Sequence, residues 1–150
     1  MDTGVEIVCD EPLLSAMLPC ERRELEPLLL AMCRHAGVLR EQGLLPQVPK
    51  SVILALVTDR EMAALNREAM GVPGPTNILS FPDGEGGTAE LALDVAQLVR
   101  EAMLYGQTPR VHLVRLLAHG LAHVCGLDHG DLMWRCQDEL EEAGQKHLAG

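Results

Sequence analysis

The sequence predicts a single domain in which one mixed sheet of four strands carries about five helices. Three observations lead there. Short apolar runs at 5–9, 51–57, 76–81 and 89–93 alternate with longer stretches of helical spacing, in the order β-α-β-α-β-β-α-α-α. A chain of 150 residues, 47% hydrophobic, is long and apolar enough for one real core. No internal repeat, low-complexity segment or shift of composition divides it, so residues 1–150 are read as one unit.

Each element has a local reason. Residues 5–9 read as a first strand, and Pro12 and Pro19 bracket a connection. Over 24–42 the apolar residues Leu25, Leu28, Leu29, Met32, Ala36 and Leu39 recur at helical spacing. Pro27 is tolerated only near that helix's first turn, and Gly43 is a fair stop. Residues 44–50, with Pro46 and Pro49, form a linker. Residues 51–57 are an apolar run bounded by turn signals, which suits a buried strand. Thr58-Asp59-Arg60-Glu61 matches the capping box that opens a helix, and this one runs to Gly71 before Pro73-Gly74-Pro75 breaks it.

The strands at 76–81 and 89–93 flank a flexible acidic loop, a spacing that suits antiparallel pairing. Residues 94–104 are helical, and Gly106-Gln107 ends them. Thr108 and Pro109 then form a strong N-cap and first-position pair for a helix to about Cys125, ~25 Å long. Val111, Val114, Leu117, Ala118 and Leu121 would bury one side of it; apolar residues on both flanks predict that other helices largely cover it. A last helix over 132–146 would turn Asp138, Glu139, Glu141 and Glu142 to solvent.

Composition narrows the function. A net charge of −10 argues against a general nucleic-acid binder, which carries a basic footprint, but leaves room for a local basic groove. Phe81, Tyr105 and Trp134 are the only aromatic residues, which argues against an aromatic platform for stacked bases. Five cysteines without a C-x-x-C read as reduced thiols of a cytosolic protein. Residues 1–11 hold four acids and no apolar core, so no signal peptide is expected. The longest apolar runs fall well short of the ~20 residues that span a bilayer.

The chemistry concentrates in His119-Gly120-Leu121-Ala122-His123-Val124-Cys125-Gly126-Leu127-Asp128-His129. Histidines four apart on a helix share a face, with Cβ atoms about 5–6 Å apart. Gly126 stands where a helix stop with positive φ is wanted, so His129 can fold back toward His119 and His123. Three neutral imidazoles with a position left open are the layout of a catalytic zinc site, and one Zn²⁺ is the expected occupant. Such an ion polarises an acyl or phosphoryl oxygen and makes hydroxide available near pH 7. Cys125 lies about 200° round the helix from His123, which favours packing over ligation.

The spacing H-x3-H-x2-G-x2-H is shared with metzincin proteases, which carry a general-base glutamate directly after the first histidine. Here that position is Gly120, which argues against peptide hydrolysis. The stretch from His119 to His129 instead resembles the signature of the YbeY family of bacterial endoribonucleases, also called rRNA maturation factors. Pro75-Thr76-Asn77-Ile78-Leu79-Ser80-Phe81-Pro82 is similar to that family's P-T-N-V-L-S-F-P segment. Glu90-Leu91-Ala92-Leu93 sits where the family has its G-D/E-I strand, and Leu65-Asn66 fits its preceding helix. The resemblance covers about residues 50–148.

It implies an α+β fold and a metal-dependent RNase. The expected zinc ligands are His119, His123 and His129. The implied role is cleavage of single-stranded rRNA in 16S 3′-end maturation and ribosome quality control. The implied setting is the cytoplasm, with the small ribosomal subunit as partner and neither membrane nor DNA. The family usually places an arginine just before the glycine ahead of P-T-N; Met70 stands there, and Val72 replaces a lysine. Arg67 and Arg115, each one helical turn from a site position, are the candidates to supply that charge. Asp128 is a candidate to orient a ligand imidazole, or a turn cap. Ser80 and Asn77 could contact substrate or fix the strand end. Two alternatives stay open: a non-catalytic ribosome-associated factor that keeps its zinc, and a metal-dependent hydrolase of another substrate.

Overall fold

The computed structural model describes residues 3–150. Strands β1 (Gly4–Cys9), β2 (Ser51–Val57), β3 (Ile78–Phe81) and β4 (Thr88–Asp94) form one sheet in the order β1-β2-β4-β3. β1 and β4 run parallel to β2, while β3 is antiparallel to β4 with Leu79 opposite Ala92. The described residues also form helices α1 (Pro12–Met17), α2 (Arg22–Glu41), α3 (Asp59–Met70), α4 (Val95–Leu104), α5 (Pro109–Val124) and α6 (Asp131–Ala149). The mixed α+β architecture is the expected one, with six helices rather than five. None of them is long and apolar enough to cross a membrane.

The additional helix, α1, lies inside the stretch read as a connection. It is less than two turns long, too short for periodicity to declare itself and too short to hold without packing. Burial of Leu14 in the core holds it. α2 begins before its expected start, so Pro27 falls at the sixth helical position and not in the first turn. Its missing N–H leaves the Arg23 carbonyl without an intrahelical partner on a face where both residues are exposed, so solvent satisfies it. The capping box at Thr58 forms as read: Glu61 N–H donates to Thr58 Oγ1 at 3.1 Å and Thr58 N–H to Glu61 Oε1 at 3.1 Å. The acidic loop before β4 is pinned by a turn from Asp83 to Gly86 and by Lys50 N–H, which donates to Gly87 O at 2.9 Å.

Strand alternation sorts the side chains onto two faces. Val52, Leu54, Leu56, Ala89, Leu91, Leu93 and Ile78 enter the main core with α2, α5 and α6. Ala55, Val57, Leu79, Phe81 and Ala92 form a smaller cluster with Met62 and Leu65 of α3. α3 therefore covers the opposite face from α5. α5 is buried nearly all round, from His112 to Val124, under α4, α6 and the β3–β4 hairpin. Three of the four acids expected to face solvent on α6 are paired: Glu139 bonds His35 at 2.9 Å, Glu141 meets Arg115 at 3.5 Å, and Glu142, still exposed, meets Lys146 at 3.2 Å.

Two features place α5. At Gly120, an added Cβ would come within 2.9 Å of both Ile78 Cδ1 and Leu91 Cδ2, and Ser80 Oγ donates to the Gly120 carbonyl at 3.3 Å. The helix backbone thus rests directly on the hairpin. At the end of β4, Asp94 caps α4 through Gln97 N–H at 3.0 Å. Next to it, the Glu101 carboxylate gathers His112 at 2.9 Å, Asn77 at 3.1 Å and Gln97 at 3.2 Å. Burial works against ionisation of Glu101, yet those hydrogen bonds hold its carboxyl below the usual range.

Gly120→Val is expected to lower unfolding stability by ~1–3 kcal/mol through overpacking. Gly37→Ala on α2, where no atom lies near an added Cβ, should be neutral or stabilising by up to ~1 kcal/mol; denaturant melts of both variants check the contrast. Burial, and then contact with Asp59, push the Asp94 carboxyl from 3.8 up to about 7. Its folded pKa is raised, so the folded state binds the extra proton between those values. Stability should rise as pH falls from 8 toward 5. Asp94→Asn keeps the cap, and its stability advantage over the parent should be largest at pH 8 and shrink on acidification, as measured by thermal unfolding across that range.

Candidate metal centre

The last two turns of α5 carry His119 and His123 on one face. The helix ends in a Schellman arrangement: Gly126 N–H donates to His123 O at 3.0 Å and Leu127 N–H to Ala122 O at 3.2 Å. Gly126 takes φ +96°, and a Cβ there would lie 2.7 Å from Pro46 Cγ, so conformation and space both require glycine. Gln47 on the same linker donates to the Val124 carbonyl at 3.3 Å, satisfying one of the helix's terminal acceptors. The turn sends the chain back, and His129 joins the other two.

One potential ligand atom from each of the three histidines lies within 4.8 Å of the others. The ring centroids are 4.7 Å apart for His119–His123, 5.2 Å for His123–His129 and 5.8 Å for His119–His129. Two rings are oriented from behind. His119 Nδ1 lies 2.9 Å from Gln137 Oε1, and His123 Nδ1 lies 3.1 Å from the Leu127 carbonyl. Both partners are acceptors, so each Nδ1 carries the proton and each Nε2 keeps its lone pair for an ion. Burial, followed by the neighbouring His119, lowers the pKa of His123, favouring the neutral ring that binds metal. A zinc ion fits this donor set: neutral imidazoles, oriented tautomers and an exposed side at His129.

Gln137 and the Leu127 carbonyl are the orienting groups the sequence reading missed. Gln137 had a signal: it is an amide inside the apolar stripe Met133, Cys136 and Leu140 of α6. Asp128 is exposed and makes no hydrogen bond to the three rings among the described residues. Asn77 and Ser80 are occupied in holding the scaffold. Asn77 binds Glu101 and accepts from Ile78 N–H, and Ser80 binds the Gly120 carbonyl. Cys125 is fully buried with its thiol pushed up to about 12 by desolvation, in keeping with packing.

The two arginines take different places. Arg115 lies on α5 but is paired with Glu141. Arg67 is exposed on α3, across the sheet from α5, and Met70 is 64% exposed on the same helix. Gly120 faces the hairpin, so even a longer residue at that position would be directed into the sheet packing. That is a structural reason for the missing glutamate.

Comparison with known proteins agrees with this architecture. The family model described as Endoribonuclease YbeY matches residues 23–149. An Endoribonuclease YbeY of Nitratidesulfovibrio vulgaris is 36% identical over 91% of this chain and 93% of its own. One of Rhodospirillum rubrum is 37% identical over 76% of this chain and 62% of its own. A solution structure of a Thermotoga maritima protein superposes with a TM-score of 0.57 at 21% identity, covering 97% of this chain and 91% of that one, which supports the fold. With the matched region spanning nearly the whole domain, the chain belongs to the Endoribonuclease YbeY family.

Proposed function

We propose that this protein is a zinc-dependent endoribonuclease that cleaves single-stranded RNA, acting with the small ribosomal subunit in 16S rRNA 3′-end maturation and ribosome quality control. The observation that carries the reading is the convergence of His119, His123 and His129, two of them with Nδ1 committed to an acceptor. A divalent ion held there supplies Lewis-acid stabilisation of a phosphoryl oxygen and a nucleophile at neutral pH. The chain's own part is to hold that ion on α5, fix the imidazole tautomers through Gln137 and Leu127, and leave the His129 side open to a strand. Buried, unpaired thiols at Cys20, Cys33, Cys125 and Cys136 suit a reducing cytoplasm.

A second reading is favoured by one feature. The candidate cations are diverted, since Arg115 faces Glu141 and Met70 stands exposed in the place of the family's arginine. A ribosome-associated factor that retains zinc without turnover has the same metal centre.

Purified protein should contain about one zinc per chain and cut a labelled single-stranded RNA. A chelator should abolish cleavage, zinc should restore it, and His123→Ala should remove it. Cleavage that persists in the triple histidine variant overturns the metal mechanism; zinc and ribosome binding without any cleavage favours the second reading. Gln137→Ala should weaken zinc binding by about 10–100-fold while the fold is retained, as read by competition with a chromophoric chelator.

A further inference from the structure

Trp134 is the chain's single tryptophan, and α6 carries it in its first turn. Its amide donates to Gly130 O at 3.1 Å, just after the third histidine. The indole lies 6.1 Å from the His129 ring, tilted 62° to it, and is 49% exposed. Its helical neighbours Met133, Cys136 and Gln137 turn inward, and the core closes without it. Arg135, at the next helical position, is exposed with no ion pair among the described residues. The rim beside His129 thus offers an exposed aromatic ring that the core does not use, with a cation at the next helical position.

That combination is the chemistry of single-strand recognition. Stacking on an aromatic ring accepts any base, and an adjacent cation meets the backbone phosphate. Scarcity of aromatic residues excludes a platform for several bases but leaves one ring able to hold one. Accepting the RNA-cleavage reading of the three histidines, we propose that Trp134 stacks on an unpaired nucleobase flanking the scissile phosphate, with Arg135 meeting the next phosphate. A paired base is already stacked within its duplex, so this contact selects single strands. It also places the strand across the exposed His129 side of the centre.

The lone tryptophan makes the contact directly observable. A short single-stranded RNA should quench indole fluorescence saturably in both the zinc-loaded and the chelated full-length protein. An oligomer of the same length with abasic sugars should not. Trp134→Ala should raise KM for RNA cleavage about tenfold with kcat little changed, as loss of one stacked base would; Trp134→Phe should recover most of the loss. Circular dichroism of both variants verifies the fold. RNA that is cleaved without quenching, or an unchanged KM in Trp134→Ala, overturns the stacking role and leaves the nuclease reading standing. Saturable quenching by RNA but not by the abasic oligomer, without cleavage, supports the stacking role and removes the catalytic one. Equal quenching by both oligomers shows a phosphate-only contact and overturns the proposal.

Discussion

The close approach of α5 to the β3–β4 hairpin is the constraint on which the site depends. Helix backbone meets strand side chains at Gly120 because no Cβ intervenes. This contact sets the depth and rotation of the helix, and with them the direction of His119 and His123. Ser80 reinforces it from the strand side through the Gly120 carbonyl. The two stretches that carry the family resemblance therefore serve one interface: one supplies the three histidines and the other supplies the surface their helix rests on.

The hairpin must itself be held, and a polar cluster does this. Asn77 is bound at three points: its amide donates to Glu101, its side-chain oxygen accepts from Ile78 N–H and its carbonyl accepts from Asp94 N–H. Glu101 also takes His112 from α5, so one carboxylate links the start of β3, α4 and α5. Buried polar groups are costly unless partnered, and a satisfied cluster rewards only one arrangement of the elements that contribute to it. Asp94, half of whose carboxylate has no partner, is the member left most exposed to protonation.

On its far side the centre is closed by α6 and the 44–50 linker. Gln137 reaches His119 from α6, while Gln47 and Pro46 back the turn that returns His129. These supporting groups thus come from two separate parts of the chain. A shift in either would be transmitted to the imidazoles through a hydrogen bond or a van der Waals contact. The exposed rim, by contrast, carries side chains the core does not use.

Sequence alone determined whatever rests on local chemistry. Helical spacing placed His119 and His123 on one face, Gly126 announced the turn to His129, and the capping box at Thr58 and the Thr108–Pro109 pair marked helix starts. The short apolar runs and the order of elements were enough for the mixed sheet. Tertiary structure decided what depends on residues distant in the chain. Helix α1 exists because Leu14 finds a core to enter, and Pro27 is carried in the second turn of α2 because its face is open to solvent. Asp128 makes no hydrogen bond to the three histidine rings among the described residues, while Gln137, on another helix, does. Arg115 is claimed by Glu141, and Arg67 falls on the opposite side of the sheet. Periodicity reports which face of a helix is buried; it carries no information about which partner a side chain meets there, because that is set by how the elements pack.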